Sequence, residues 1–446
     1  MRIDSLYLKD VGPFDEVTIE FPAGARGDLA DVYLLTGENG CGKSTVLYAI
    51  AAAIGGGAYA GRLLGDRMRG PSSQIRMNAG ANVRTFQRAA LPPGEGTIFE
   101  PDATLGLIHS VGDLRLFGTP GALASYTQAV DTFGVTAQAL PRFEWAAFAY
   151  SGTRDLRRFH VESPKEPTRG PFEAALSFDQ TVDAQQLAQW FASQDFKRLK
   201  AKDAGLDDHA TALMRGIREI EGALGDAIGQ KVRLVSVVSD NDFRVAIGDA
   251  SPLPVAALPD GLKSILAWVG DLFMRLDQVP WIGDLPFSKR EFLLLLDEID
   301  IHLHPAWQRR ILPMVAKLFP KAQIVASTHS PFVVQSAEQD AHIIRFNVKD
   351  GRSTLDPTRR GAQVGTSVDV VLADVFGIES RFDIETESML ARFRELQRGL
   401  ASGQIMDRTD YDTLAREIAA RGEELSSIIG YEVRQLDRQL ARAAAG

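Results

Sequence analysis

Residues 32–50 read VYLLTGENGCGKSTVLYAI. An apolar run enters a glycine-rich turn, passes Lys43-Ser44, and leaves as apolar residues at helical spacing. Within it, Gly37-Glu38-Asn39-Gly40-Cys41-Gly42-Lys43-Ser44 fits the P-loop pattern of glycine, four residues, then Gly-Lys-Ser/Thr. Glycines let backbone N–H groups turn inward around phosphate oxygens, and the N-terminus of the following helix adds a favourable field. The residues expected to line a nucleotide are therefore Gly37, Glu38, Asn39, Gly40, Cys41, Gly42, Lys43, Ser44 and Thr45. Lys43 would neutralise the β- and γ-phosphates, and the Ser44 hydroxyl would ligate Mg²⁺.

Working outward, Phe292-Leu293-Leu294-Leu295-Leu296-Asp297-Glu298 reads as a buried strand ending in two carboxylates. Asp297 is placed to hold Mg²⁺, and Glu298 to act as general base on an attacking water. A second apolar strand ends in Ala326-Ser327-Thr328-His329-Ser330-Pro331, where His329 can hydrogen-bond a γ-phosphate and sense its loss. Leu258-Pro259-Asp260-Gly261-Leu262-Lys263-Ser264 opens a helix ahead of the acidic strand. A plain helix start with Asp260 as N-cap is the alternative reading of that segment.

In this order the motifs resemble those of an ABC-type ATPase head, with ATP and Mg²⁺ as the implied cofactors. The resemblance implies that the helix start of one copy, through Asp260, Gly261 and Lys263, closes on the γ-phosphate held by another in a head-to-tail pair. Pro259 stands where a serine is usual, which leaves backbone N–H groups and Lys263 as the expected contacts. The glutamine that such heads use at Mg²⁺ is expected at Gln74, with Gln87 as competitor.

Asp297-Glu298-Ile299-Asp300-Ile301-His302-Leu303-His304-Pro305 and Phe148-Ala149-Tyr150-Ser151-Gly152-Thr153-Arg154 narrow the resemblance. They look like blocks of the overcoming-lysogenization-defect (OLD) and RecF-like stand-alone ATPases. In those relatives the first block lines the dimer seam, which competes with reading His302 and His304 as metal ligands. The tail segment Val364–Gly377 followed by Arg381 resembles Septu-type and retron-linked antiphage ATPases, which work beside a separately encoded HNH nuclease. The resemblance implies an antiphage regulator with a nuclease partner. A RecF-like DNA repair ATPase without one is the alternative.

Composition sets the outer bounds. The 446 residues carry 45% hydrophobic and 24% charged side chains, as in ordinary globular proteins, so a packed core is expected. A formal net charge of −9 excludes a uniformly basic nucleic-acid coat, leaving DNA to local clusters such as Arg154–Arg158 or Lys197–Lys202. One cysteine, Cys41, excludes an internal disulfide framework. No apolar run approaches the roughly 20 residues needed to cross a bilayer. The charged, strand-like start does not read as a signal peptide. A cytoplasmic protein with no membrane partner is expected.

The expected fold is α/β: a P-loop head with an antiparallel β subdomain, a short helical-pair insertion and a C-terminal helical tail. Domain boundaries are placed at 1–180 (head with P-loop), 181–230 (helical insertion), 231–350 (remainder of the head) and 351–446 (tail). Residues 1–21 read as a β-hairpin around Gly12-Pro13, whereas 58–180 show no clean periodicity. In the tail, Leu390, Phe393, Leu396 and Leu400 share one helix face, and Leu425, Ile429, Val433, Leu436 and Leu440 another. These faces are expected to cover the head, a second subunit or the nuclease.

Overall fold

The computed structural model describes residues 1–24, 28–88, 106–111, 114–119, 122–131, 140–152, 167–179, 181–237, 242–283, 285–337, 341–356, 360–361, 365–378, 380–404 and 407–445. The chain divides into two compact units, Met1–Val371 and Leu372–Gly446.

The first unit is built on a 7-stranded sheet. Its order is Arg352–Leu355, His342–Lys349, Asp31–Gly37, Gln323–Ser327, Glu291–Leu296 and Trp145–Tyr150, with Arg360–Gly361 also on His342–Lys349. From His342–Lys349 to Trp145–Tyr150 the neighbours run parallel. Trp145–Tyr150 and Gln323–Ser327 are buried at every position, and Glu291–Leu296 at all but its first. Parallel strands covered on both faces read as continuous apolar runs, which is why these three contain hardly a polar residue.

The N-terminal hairpin forms as expected, Ser5–Val11 against Phe14–Glu20. It is one end of a 6-stranded antiparallel sheet that continues through Gln74–Ala79, Asn82–Arg88, Leu114–Gly118 and Gly106–Val111. Most of these later strands lie in the stretch without periodicity. A further 3-stranded sheet joins Val232–Val237, Asp242–Ile247 and Leu253–Pro254.

The insertion is helical. Asp183 caps Ala184–Asp203 by accepting from Gln185 N–H at 3.0 Å and Gln186 N–H at 3.1 Å, and Gly205 at φ +73° turns the chain back. The returning arm is divided at Met214 into Asp207–Leu213 and Arg215–Ile228. The insertion lies on the head: Trp190 and Gln194 both donate to Asp277 Oδ2, at 3.1 and 2.9 Å. A Cβ on Gly270 would come within 3.0 Å of Leu187, so glycine there admits the insertion to the helix Asp260–Gln278.

The second unit contains the helices Ile384–Ala401, Thr409–Ala419 and Glu423–Ala445. Here the structure corrects the sequence reading. Leu390, Phe393 and Leu400 pack with Leu425, Ile429 and Leu436 in one cluster, to which Tyr411 and Ile418 add the middle helix. The two apolar faces cover each other, because a helix between them completes a core that neither could form alone. Among the described residues no helix is long and apolar enough to cross a membrane.

Candidate nucleotide site

The registers of the parallel sheet decide where the site lies. Leu34 pairs with Ala326, Ala326 with Leu296, and Leu296 with Tyr150. Glu291–Leu296 and Trp145–Tyr150 thus end level, Gln323–Ser327 ends one residue beyond them and Asp31–Gly37 two residues beyond that. The P-loop, Asp297-Glu298, Thr328-His329 and Ser151-Gly152 all leave from the carboxyl ends of these strands. In open α/β sheets this is the edge where ligands bind.

The loop after Asp31–Gly37 has the shape its glycines permit. Gly37 and Gly42 stand at φ +139° and +96°. A Cβ on Gly37 would lie 2.6 Å from Phe346 O, and one on Gly42 2.5 Å from the Phe14 ring. Lys43 is buried, and its ammonium donates to Gly37 O and Glu38 O at 3.0 Å each, closing the loop on itself. The helix Lys43–Gly55 begins here, and its first N–H groups have no intrahelical partner.

Cys41 is fully buried, and burial pushes its thiol above the ordinary range despite the nearby Lys43. The Thr45 side chain faces the hairpin and accepts from Arg67 at 3.2 Å. Arg67 also lies 4.8 Å from the centre of the Tyr48 ring. Nothing in the motif reading pointed to Arg67; only the fold, which brings its side chain against Thr45 and Tyr48 of the P-loop helix, reveals it.

The carboxylates are set by Ser327, a residue quoted in the sequence motif but given no role there. Its hydroxyl donates to Asp297 Oδ1 at 2.5 Å and accepts from the Glu298 N–H at 2.7 Å. Asp297 N–H in turn donates to Tyr150 O at 2.8 Å. Glu298 adopts φ +48°, a strained conformation for a non-glycine residue and of the kind found at functional sites. Its carboxylate lies against Gly152, where a Cβ would come within 2.6 Å of Oε2. Tyr48 is pushed up to about 12, first by burial and then by the charge of Asp297.

His329 follows Thr328, whose hydroxyl donates to Asp300 Oδ1 at 2.6 Å while its N–H donates to Leu35 O at 3.2 Å. Partial burial, then the Lys43 charge, holds the His329 imidazole below its ordinary value. Lys43, Asp297, Glu298 and His329 therefore share one electrostatic neighbourhood.

Asp260, Gly261 and Lys263 are placed elsewhere in the head. The helix Asp260–Gln278 is preceded by Pro259 as N-cap, which displaces the alternative of Asp260 in that role. Asp260 instead pairs with Lys263 at 3.1 Å. A Cβ on Gly261 would meet His302 O at 2.6 Å and the Trp307 ring at 3.2 Å, so this helix start packs on the loop after Asp297-Glu298. His302 stands at φ +62°, and His304 Nδ1 accepts from Ala306 N–H at 3.2 Å, capping the helix Pro305–Leu318. His304 thus has a structural task, and the described residues contain no group of three or more candidate metal-binding side chains.

Gln74 and Gln87 are direct cross-strand partners. Gln74 also stands opposite Lys9 on the other side. Thr153, Arg154 and the Arg154–Arg158 cluster lie outside the described residues. In the second basic cluster Arg198 pairs with Asp195 at 2.6 Å, and Lys200 sits 4.6 Å over the Phe196 ring.

A P-loop flanked by a strand-end Asp-Glu pair and a strand-end histidine defines a P-loop ATPase domain. The chain belongs to the AAA-domain family described as "AAA domain, putative AbiEii toxin, Type IV TA system", whose model matches residues 32–335. A further model, "AAA domain", matches residues 1–56. Septu protein PtuA of Bacillus thuringiensis is 30% identical over 158 residues, 34% of this chain and 39% of that protein. The "Retron Vc95 probable ATPase" of Vibrio cholerae is 31% identical over 35% of this chain and 30% of its own length. This chain thus spans less than half the length of these curated relatives. Among solved structures, an Smc head bound to the C-winged helix domain of ScpA is 16% identical with a TM-score of 0.45, covering 81% of this chain and 98% of that one.

Proposed function

We propose that the protein is a Mg²⁺-dependent ATP hydrolase that works as a head-to-tail pair and regulates a partner nuclease in bacterial antiphage defence. The observation that carries the catalytic part is the set of four parallel strands with adjoining carboxyl ends, which brings the segments bearing Lys43, Asp297, Glu298 and His329 to one edge of the sheet. The residues fit the nucleotide and metal. The glycine cradle would be filled by a Cβ at Gly37 or Gly42, and Ser44 and Asp297 supply the oxygen donors that Mg²⁺ prefers.

Gly37 to Thr45 would bind the phosphate chain, with Lys43 balancing its charge. Ser44 and Asp297, with Gln74 through its side-chain oxygen, would hold Mg²⁺, which when bound neutralises charge developing on the phosphate oxygens. Glu298 would take the proton of the attacking water on its carboxylate. His329 would donate a hydrogen bond to the γ-phosphate. Asp260, Gly261 and Lys263 would be delivered by a second copy; within one copy Gly261 packs on the loop around His302 and Asp260 pairs with Lys263.

The antiphage assignment rests on the Septu and retron relatives together with the His-Leu-His-Pro block. Nothing comparable favours DNA as a direct partner: in the described basic cluster Arg198 and Lys200 are engaged with Asp195 and Phe196 of their own helix.

Phosphate release by wild type and Glu298→Gln tests the enzyme claim, with loss of at least about 100-fold expected for removing a general base. Equal rates near zero would defeat it. Capture on ATP-loaded Glu298→Gln, combined with phage challenge of a deletion strain, tests the biological claim. An HNH nuclease in the capture and lost protection are expected. DNA retained without any nuclease would favour the repair reading instead.

A further inference from the structure

Behind the site lies a buried ion pair to which the catalytic reading gives no task. Asp271 and Arg275 sit on the helix Asp260–Gln278, are 0% and 1% exposed, and meet at 2.6 Å. A buried pair of this kind is commonly no more stabilising than apolar residues of the same size, so its retention asks for a reason. Its hydrogen bonds point to one. Arg275 donates to Pro171 O at 2.8 Å, Glu173 O at 3.0 Å and Thr181 O at 2.6 Å. Asp271 Oδ2 accepts both from Arg275 and from the Tyr150 hydroxyl, at 2.9 Å.

Tyr150 is where the network reaches the chemistry. It ends the strand Trp145–Tyr150, is fully buried, and its carbonyl accepts the Asp297 N–H. Gly152, two residues on, is the surface against which Glu298 rests. Tyr150 therefore holds the helix Asp260–Gln278 by its side chain and the acidic turn by its backbone. Thr181 adds a parallel tie, donating to Ala149 O at 2.7 Å. The segment held by Arg275 also carries Phe178, whose ring meets Tyr48 of the P-loop helix at 4.7 Å.

We propose that Tyr150 and Asp271 are positioning residues that fasten the helix beginning at Asp260-Gly261 to the Asp297-Glu298 turn. Displacement of that helix start, as when a second copy docks on it, is passed along the rigid helix to Asp271, through the Tyr150 hydroxyl to its carbonyl, and so to the backbone of Asp297. The role in turnover rests on the ATPase reading above; the mechanical tie does not.

Tyr150→Phe removes one hydroxyl and keeps the ring that packs against Trp268. Tyr126→Phe is the matched control. That tyrosine is equally buried and bonded to the same strand, donating to Ala147 O at 2.6 Å, so its hydroxyl engages Ala147 rather than the acidic turn. In Tyr150→Phe, amide exchange over residues 297–301 should quicken about tenfold and kcat should fall about tenfold, with the KM for ATP within twofold of wild type. Tyr126→Phe should change neither exchange over 297–301 nor kcat, whatever it does to thermal stability. Unchanged exchange in Tyr150→Phe, or equal changes in both variants, overturns the inference. Wild-type protein that releases no phosphate would instead overturn the ATPase reading, and the exchange comparison would still decide the tie.

Discussion

Ser327 and Asp297 are joined by a 2.5 Å hydrogen bond, and the same hydroxyl receives the Glu298 N–H. One side chain on the histidine strand thus orients both acidic residues of the neighbouring strand. Ser327→Ala leaves the Glu298 N–H and an Asp297 oxygen without this partner, at a cost of about 1–3 kcal/mol for a buried group. Turnover is expected to drop more than tenfold while nucleotide affinity changes little. Phosphate release and equilibrium nucleotide binding, measured on the same preparation, check the split.

Gly261 and Gly222 predict opposite signs for one substitution. A Cβ on Gly261 would press to 2.6 Å from a backbone oxygen, that of His302, which is already held at positive φ. Gly261→Ala should destabilise by about 1–3 kcal/mol, as overpacking does. Gly222 lies in the helix Arg215–Ile228 with nothing within 4 Å of its Cβ position. Gly222→Ala should stabilise by about 0.5–1 kcal/mol through helix propensity. Urea unfolding of the two variants beside wild type reads both signs.

Cys41 should resist thiol reagents in the folded chain, with or without nucleotide. The side chain is fully buried, and its raised pKa leaves little thiolate near neutral pH. A disulfide reagent at pH 8 should label it at least about 100-fold faster in denaturant, since thiolate and access appear together. Rapid labelling of the native protein would show that the loop opens freely.

His329 should be neutral at pH 7. Its pKa is depressed from 6.5, so the unfolded chain binds the proton more readily than the folded one. The stability this site contributes is therefore fully present above 6.5, and it is lost as pH falls through that value toward the folded pKa. An NMR titration of the ring protons, assigned by His329→Gln, should give a midpoint below 6.5 in the native protein. A midpoint above that value would contradict the burial argument.

The candidate site residues were legible because each motif is local. Gly37 to Ser44, Leu296-Asp297-Glu298 and Ser327-Thr328-His329 combine an apolar strand with the polar residues that leave its end, and short-range patterning reveals both. The six-stranded sheet was not legible over Gln74–Gly118, since its short strands are defined by their partners rather than by their own periodicity. The tail faces were visible as amphipathic helices, but not what covers them, because an apolar stripe carries no address.

What the chain's order of residues settled was a P-loop motif, an Asp-Glu pair and a histidine, each at the end of an apolar strand. Tertiary structure alone decided that those ends adjoin at one edge of the sheet, that Ser327 is hydrogen-bonded to both Asp297 and Glu298, and that the Cys41 side chain is buried. It also decided that Tyr150 links Asp271 to Asp297. The physical reason is sequence distance. Contacts between residues from about thirty to more than a hundred positions apart depend on strand register and helix placement, which the core as a whole selects and no single segment encodes.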